Sequence, residues 1–260
     1  MAGTDGRLRG MSDVEDGAPA VVLVGAQLGE NVGAAARAML NCGLGDLRLV
    51  APRDGWPNPQ ARAAASGADA VLDAARLYDD LRSAVADLHH VYATTARPRD
   101  VAKPVLTPQE AAAAIRRASA RGERTGLLFG RERIGLTNDE LSLADAILTI
   151  PLNPGFSSLN LAQAVLLLAW EWRRAGSLPS PPRPSAAGAP PATRAQLLGF
   201  FDHLEGALEQ TGFFKTRELR PSMVRNLRAI FHRANLSERE VRTLHGVVTA
   251  LCGRRKDQLE

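Results

Sequence analysis

Three segments of the chain place glycine, hydroxyl and charged side chains directly after short apolar runs. Residues 21–39 read VVLVGAQLGENVGAAARAM, residues 127–141 read LLFGRERIGLTNDEL, and residues 147–165 read ILTIPLNPGFSSLNLAQAV. Each apolar run has the length of a buried strand, and the polar residues follow its carboxyl end. Because ligands of open parallel sheets bind outside the carboxyl ends of the strands, such loops are suited to hold a ligand.

The first segment has a glycine loop that leads into a helix, an arrangement that can cradle a phosphate. The spacing of Gly25, Gly29 and Gly33 differs from G-x-G-x-x-G, and the acidic residue expected after the next strand is met only loosely by Asp54. Both facts disfavour a nicotinamide-dependent enzyme. Arg37 is the one charge in the second turn of a helix of small residues. It indicates either a specific anionic partner or an ordinary exposed arginine.

The second and third segments have simple alternatives as well. Arg131, Glu132 and Arg133 form either a ligand-binding edge or a local ion-pair cluster. In the third segment, helix capping accounts for one serine but not for the whole loop before the helix.

These segments require an α/β fold. Short apolar runs alternate with alanine-rich stretches of helical period, which predicts a parallel sheet with helices on both faces. The predicted strands are 20–24, 47–50, 91–94, 127–130 and 147–150. The predicted helices are 32–41, 59–66, 78–87, 108–120 and 158–174. Asn31 is predicted to be an N-cap, Gly43 to take the left-handed conformation after a helix, and Thr137 to form a capping box with Glu140.

Composition divides the chain into four parts. Residues 1–17 are polar and are expected to be a disordered arm, 18–175 form the α/β unit, and 176–193 are a linker rich in proline, glycine, alanine and serine. Residues 194–260 are predicted to form three helices. Their apolar stripes, expected to be core, are Leu197, Leu198, Phe201, Leu204 and Leu208; Val224, Leu227, Ile230 and Phe231; and Val241, Leu244, Val248 and Leu251.

The distribution of charge and the remaining composition indicate which classes of partner the chain could bind. Residues 194–260 hold 12 Lys and Arg against 8 Asp and Glu, which accounts for the whole net charge of +4. This excess fits either a solvated helix face or a surface that binds a polyanion. The longest apolar run, 159–172, is interrupted by Asn160, Gln163 and Glu171 and is too short for a membrane span. Cys42 and Cys252 have no metal-ligand spacing, so no metal is expected.

In this order and at these distances, GENVGAAARAM, FGRERIGLTNDEL and NPGFSSLNLAQAV resemble the SpoU branch of the SPOUT methyltransferases. Within that branch they are similar to the bacterial tRNA cytidine/uridine-2′-O-methyltransferases that act on nucleotide 32 of the anticodon loop. The resemblance covers about residues 20–175 and, less sharply, the helical tail. It implies a trefoil knot in the C-terminal part of the α/β fold, a homodimer formed through the knot region, a cytoplasmic location and S-adenosylmethionine as cofactor.

Carried over by position, the resemblance also implies site residues. The cofactor-binding positions would be Thr94, Thr95, Ala96, Gly130, Glu132, Ile150, Ser157, Ser158 and Leu159. Arg37, Asn31 and Ser157 would be catalytic, with Arg37 reaching the cofactor of the partner subunit. The tail would bind RNA through Arg217, Arg220, Arg225, Arg228 and Arg233.

The chemistry would be an attack of a ribose 2′-oxygen on the sulfonium methyl group. A guanidinium stays protonated at biological pH, so Arg37 would stabilise charge and a phosphate, water or a serine would accept the proton. Two alternatives stay open: the same reaction on ribosomal RNA, and a knotted RNA-binding protein that has lost catalysis.

Overall fold

The computed structural model describes residues 14–96, 103–176, 190–214, 216 and 218–256. The predicted disordered arm, apart from residues 14–17, lies outside the described residues. The same holds for residues 177–189 of the predicted linker and for Arg217.

A parallel sheet of seven strands organises the described part of the chain. The strands are β1 (Ala20–Val24), β2 (Leu47–Val50), β3 (Arg76–Tyr78), β4 (His90–Thr94), β5 (Val105–Leu106), β6 (Thr125–Phe129) and β7 (Ala146–Leu148). Their order across the sheet is β3-β2-β1-β6-β4-β7-β5, and every neighbouring pair is parallel. The predicted parallel sheet is confirmed, while the trefoil knot stays a prediction.

Helices cover both faces of this sheet. They are α1 (Gly29–Asn41), α2 (Pro59–Ala65), α3 (Asp69–Asp73), α4 (Leu81–Val85), α5 (Pro108–Ser119), α6 (Asn138–Ser142) and α7 (Leu161–Gly176). Strand residues alternate between the faces: Val21 and Leu23 pack under α1, α2, α3, α5 and α7, whereas Val22 and Val24 pack under α4 and α6. Because successive side chains of a strand point to opposite faces, five apolar residues in a row at β1 serve two cores.

The sequence prediction missed the strands at the two edges of the sheet. β3 and β5 have three and two residues, and Leu77 and Val105 are exposed, so neither strand has the apolar run that marks a buried strand. The helix predicted at 78–87 is shorter, because Tyr78 ends β3 and the side chain of Asp80 caps α4. Gly43 has a φ of 80°, and the Thr137–Glu140 capping box is present, as predicted.

Three more helices follow: α8 (Arg194–Gln210), α9 (Arg220–Ala234) and α10 (Glu238–Lys256). Their shared core contains Leu197, Phe201, Val241 and other predicted stripe residues. Ile230 and Leu251, however, are 51% and 69% exposed, so their assignment to the core was wrong. Each lies at the margin of its stripe, where a three-helix unit is too thin to cover every apolar position.

No helix among the described residues is long and apolar enough to cross a membrane.

Candidate active site

A cavity of about 370 Å³ opens at the carboxyl ends of β4, β6 and β7. It is lined by all nine positions predicted to bind a cofactor: Thr94, Thr95, Ala96, Gly130, Glu132, Ile150, Ser157, Ser158 and Leu159. Three loops far apart in sequence supply them. β4 lies between β6 and β7, and parallel strands end at the same edge of a sheet, so the three loops meet.

Hydrogen bonds connect the loops at the base of the cavity. The hydroxyl of Thr94 donates to the carbonyl oxygen of Leu128 at 2.8 Å, which joins β4 to β6. The amide of Thr95 donates to the carbonyl oxygen of Leu148 at 3.1 Å, which joins the same loop to β7. The cavity wall is therefore an extension of the sheet and not a set of independent loops.

Gly130 occupies a position where the backbone of the next turn comes very close. A Cβ atom added there would lie 2.3 Å from the carbonyl carbon of Gly135 and 2.4 Å from the amide nitrogen of Leu136. Gly135 itself has a φ of 69°, a conformation that glycine adopts readily. The turn 131–135 can fold back over the end of β6 only because residue 130 has no side chain.

Glu132 connects the cavity to the start of α1. Its carboxylate accepts hydrogen bonds from the amide nitrogens of Gln27, at 3.1 and 3.2 Å, and Leu28, at 3.4 Å. It also accepts one from Nδ2 of Asn31 at 2.9 Å. Four donor–acceptor contacts on one carboxylate fix the loop before α1 against the loop after β6.

Asn31 is not the N-cap that the sequence predicted. The N-cap residue is Leu28, which has no side-chain cap, and Asn31 lies in the first turn of α1 and is buried. Its side chain bonds instead to Glu132 and Asn160, and Glu132 also accepts from the amides of Gln27 and Leu28 just before α1. An acceptor supplied by a loop about a hundred residues away cannot be seen in local sequence.

The sequence marks Asn160 only as a break in the longest apolar run, yet its side chain bonds to that of Asn31. Its Nδ2 donates to Oδ1 of Asn31 at 2.8 Å, while its own Oδ1 accepts from the amide of Ala162 at 2.9 Å. An asparagine before an apolar helix is usually a helix cap, and the bond from Ala162 is of that kind. The capping role therefore hides the bond to Asn31 from a reading of the sequence. Glu132, Asn31 and Asn160 thus form one chain of hydrogen bonds that joins the loop after β6, the first turn of α1 and the segment before α7.

Arg37 stands apart from the cavity. It is exposed, does not line the cavity, and has no hydrogen bond or ion pair with the residues that the structure describes. It follows Asn31 by six residues on α1, about 9 Å along the helix axis. Within one chain, the structure therefore brings Asn31 to the cavity loops but leaves Arg37 outside them. Ser157 is also exposed, at the cavity wall.

One charge beside the cavity is neutralised locally. Nη1 of Arg131 lies 3.0 and 3.1 Å from the carboxylate oxygens of Glu140, the residue that completes the capping box of α6. Arg131 thus behaves as a member of a local ion pair, which was one of the two interpretations of this segment.

The arginines predicted to bind RNA differ in their surroundings. Arg220 pairs with Glu209 at 2.7 Å, and Arg225 pairs with Asp139 of α6 at 3.4 Å. Arg228 bonds to Glu205 at 2.7 Å, and its side chain is only 17% exposed. Arg233 is exposed and has no polar partner in the described part of the chain. Arg217 lies outside the described residues.

Among the described residues, no group of three or more His, Cys, Asp and Glu side chains could hold a metal ion.

Comparison with known proteins assigns the chain to a family. Residues 18–170 match the SpoU rRNA methylase family, and residues 195–260 match the family described as tRNA methyltransferase TrmJ, C-terminal domain. The tRNA (cytidine/uridine/adenosine-2′-O-)-methyltransferase TrmJ of Pseudomonas aeruginosa is 39% identical over 238 residues, which cover 88% of this chain and 91% of that protein.

Similarity to solved structures supports the same family assignment. The crystal structure of TrmJ from Z. mobilis ZM4 superimposes with a TM-score of 0.82 at 50% identity and covers 90% of this chain and 99% of that one. A putative methylase family protein from Neisseria gonorrhoeae has a TM-score of 0.63 at 29% identity, with 78% of this chain and 98% of that chain covered. Because residues 18–170, more than half of its length, match the SpoU family, and because its second and third motif segments line the cavity, this chain belongs to the SpoU family of RNA methyltransferases.

Proposed function

We propose that this protein transfers a methyl group from S-adenosylmethionine to the ribose 2′-hydroxyl of a cytidine or uridine in tRNA, at nucleotide 32 of the anticodon loop. The observation that carries the proposal is the convergence of three loops on one cavity, with a hydrogen-bonded asparagine chain at its edge. The names of the relatives, which are tRNA 2′-O-methyltransferases, support the substrate.

The cavity fits such a cofactor in size and in chemistry. Its volume of about 370 Å³ lies in the usual range for small-molecule sites. Threonine and serine hydroxyls can bond a ribose and an amino acid end, whereas Leu148, Ile150, Leu152 and Leu159 offer an apolar wall for an adenine. Gly130 and Gly135 also line the cavity, and neither has a side chain to cover its backbone groups. When bound, S-adenosylmethionine supplies the electrophilic methyl group.

The residues of the chain then have to place a hydroxyl and stabilise the negative charge that develops on it. Asn31 keeps one N–H and one lone pair after its bonds to Glu132 and Asn160, and the two bonds hold its side chain in one orientation. Arg37, as a permanent cation, suits a phosphate and an incipient alkoxide. For the proton, the exposed Ser157, the substrate phosphate and water are the candidate acceptors.

We also propose that the active form is a homodimer, as the resemblance implies. Leu166, Leu167 and Trp170 of α7 are 43%, 38% and 55% exposed, an apolar surface beside α1 that a second copy could cover. A dimer would also explain why Arg37 is outside the cavity of its own chain, because it could complete the site of the partner.

Co-expression of two inactive variants tests the shared site. Arg37→Ala keeps the cavity, and Gly130→Val keeps Arg37. If the sites are shared, half of the dimers contain both variants, and each of those has one intact site, so about a quarter of wild-type activity should return. If each chain used its own Arg37, the mixture would be as inactive as the separate variants.

The substrate is tested by offering the purified protein total tRNA and ribosomal RNA with a labelled cofactor, followed by mapping of the 2′-O-methyl site. Methylation of tRNA at nucleotide 32 supports the proposal, and modification of rRNA alone would replace it with the first alternative. Cofactor binding by calorimetry without transfer to any RNA would favour the inactive RNA-binding protein. Because the proposed substrate is tRNA, we also propose a cytoplasmic location.

A further inference from the structure

A buried polar cluster joins the helical unit to the sheet. Arg194, at the first position of α8, is fully buried and forms an ion pair with Asp145, which precedes β7. Nη1 of Arg194 lies 2.9 Å from Nδ1 of His232 on α9, and that nitrogen lies 3.2 Å from Oδ1 of Asp145. Nδ1 can accept from Arg194 or donate to Asp145, but a single tautomer cannot do both.

The cluster holds β4, the strand that leads to the cavity. Oδ2 of Asp145 accepts a hydrogen bond from the amide of Val91 at 2.7 Å, and the amide of Asp145 donates to the carbonyl oxygen of Val91 at 2.7 Å. The amide of Arg194 donates to the carbonyl oxygen of Leu88 at 2.6 Å, just before this strand. The strand ends at Thr94, which lines the cavity.

Lys103 encloses the cluster from a third side. Its ammonium group donates to the carbonyl oxygens of Ser142, at 3.1 Å, and Ala144. Burial, countered by Asp145, lowers the pKa of Lys103 to about 8. Burial alone would raise the pKa of Asp145. The charge of Arg194 and the bonds from His232 and Val91 nevertheless hold this pKa well below its usual range. The carboxylate is therefore ionised and paired.

A second ion pair crosses the same interface and provides a contrast. Arg82 of α4 pairs with Asp202 of α8, but their side chains are 44% and 55% exposed. An ion pair that is exposed to solvent contributes little to the stability of the folded protein. A buried pair is costly to desolvate and can often be replaced by apolar residues without loss of stability, so the fixed geometry that it imposes is the role to test here.

We infer that Arg194 is a positioning residue for tRNA methylation: through Asp145 and β4 it holds the helical unit at a fixed place relative to the cofactor cavity, so that a tRNA contacts both at once. The inference rests on the proposed function. It predicts that the cluster matters for a substrate long enough to reach both units, and not for a short RNA that reaches only the cavity.

The experiment compares two substrates, a full-length tRNA and its isolated anticodon stem-loop. The informative variant is the double replacement Arg194→Met with Asp145→Asn, because Arg194→Met alone leaves a carboxylate unpaired at the interface and threatens folding. Arg194→Lys is the conservative variant, and Arg82→Met is the control at the same interface. All are made in the full chain, and the melting temperature and the cofactor dissociation constant are measured for each.

For the double variant we expect kcat/KM on full-length tRNA to fall about tenfold or more, mostly through KM, while the stem-loop rate and cofactor affinity change less than about twofold. Arg194→Lys should recover part of the loss, and Arg82→Met should match the wild type. Equal losses on both RNAs would mean a merely structural role and would overturn the inference, as would no loss on either.

The same data separate this inference from the proposed function. A wild-type protein that methylates neither RNA overturns the proposed function and the inference with it. An active wild-type protein that shows no preference for full-length tRNA overturns only the inference.

Discussion

Nδ2 of Asn31 donates to the carboxylate of Glu132 at 2.9 Å, across 101 residues of sequence. The same carboxylate accepts from two backbone amides at the start of α1. In Glu132→Gln, an amide group replaces one acceptor oxygen with a donor, so at least one of these partners loses its bond. Each such loss costs about 1–3 kcal/mol in a buried setting. We expect single-turnover methyl transfer to fall about tenfold or more and the melting temperature to fall by a few degrees.

Glu30→Gln is the control for Glu132→Gln, since Glu30 is an exposed acid on α1, the helix that carries Asn31. Equal activity of the two variants would show that the hydrogen-bond chain does not orient Asn31 for the reaction.

Arg37→Ala should abolish methyl transfer while leaving cofactor affinity within about twofold, because Arg37 is exposed and does not line the cavity. Removal of one positioned charge typically costs about 100- to 1000-fold in rate. Turnover is measured with saturating cofactor, and affinity by calorimetry. Arg62→Ala, on the neighbouring α2, serves as the matched exposed arginine. Retention of more than about a third of wild-type turnover by Arg37→Ala would refute the assignment.

Gly130→Ala is expected to abolish S-adenosylmethionine binding without unfolding the chain. The new Cβ would meet the backbone of Gly135 and Leu136, so the turn 131–135 has to move away from the cavity. Gly155→Ala changes another glycine near the cavity loops, where a Cβ would have only Asn153 Oδ1 at 3.5 Å, and should bind normally. Circular dichroism and calorimetry check both variants. Normal binding by Gly130→Ala would mean that this turn does not shape the site.

Two arginines of α9 should respond differently to replacement by alanine. Arg233 is exposed, so its loss should weaken tRNA binding and reduce the slope of log affinity against log salt by about 1, with stability unchanged. Arg228 bonds to Glu205 and lies 5.7 Å from the ring centroid of Phe201, so its loss should lower the free energy of unfolding by about 2 kcal/mol. Filter binding at several salt concentrations and urea unfolding measure the two effects. Identical behaviour of the two variants would contradict this division.

His232 should make stability fall with acid. Burial, opposed by the bond to Asp145 and reinforced by the charge of Arg194, lowers the pKa of His232 from 6.5 to about 4. Between these two pH values the unfolded chain binds a proton at His232 that the folded chain does not. The contribution of neutral His232 to the free energy of unfolding is therefore fully present above about pH 6.5 and is lost as the pH falls toward 4.

Urea unfolding at pH 7 and pH 5 measures this effect. His232→Asn should lose about 2 kcal/mol less between the two pH values than the wild type does. Arg82→Met, which keeps His232, should show the wild-type difference. An unchanged difference in His232→Asn would mean that another group controls the acid response.

Local sequence determined much of the fold and the place of the site. β1 and β2 begin and end at the predicted residues, because short runs rich in Val and Leu that lie between turn-forming residues favour buried strands. The capping box at Thr137 depends on two residues three apart. The residues of the three cavity loops could be named from the family resemblance, and parallel strands bring the ends of β4, β6 and β7 to one edge.

Tertiary structure alone decided how distant residues use their polar groups. Asn31 has a side chain that favours the N-cap position, yet it bonds to Glu132 and Asn160, since packing brings those groups within reach. Arg194 seemed to be one more basic residue after the linker, but it is fully buried against Asp145. Side-chain pattern reports which face of a helix is apolar, whereas the partner of a buried charge depends on elements more than forty residues away.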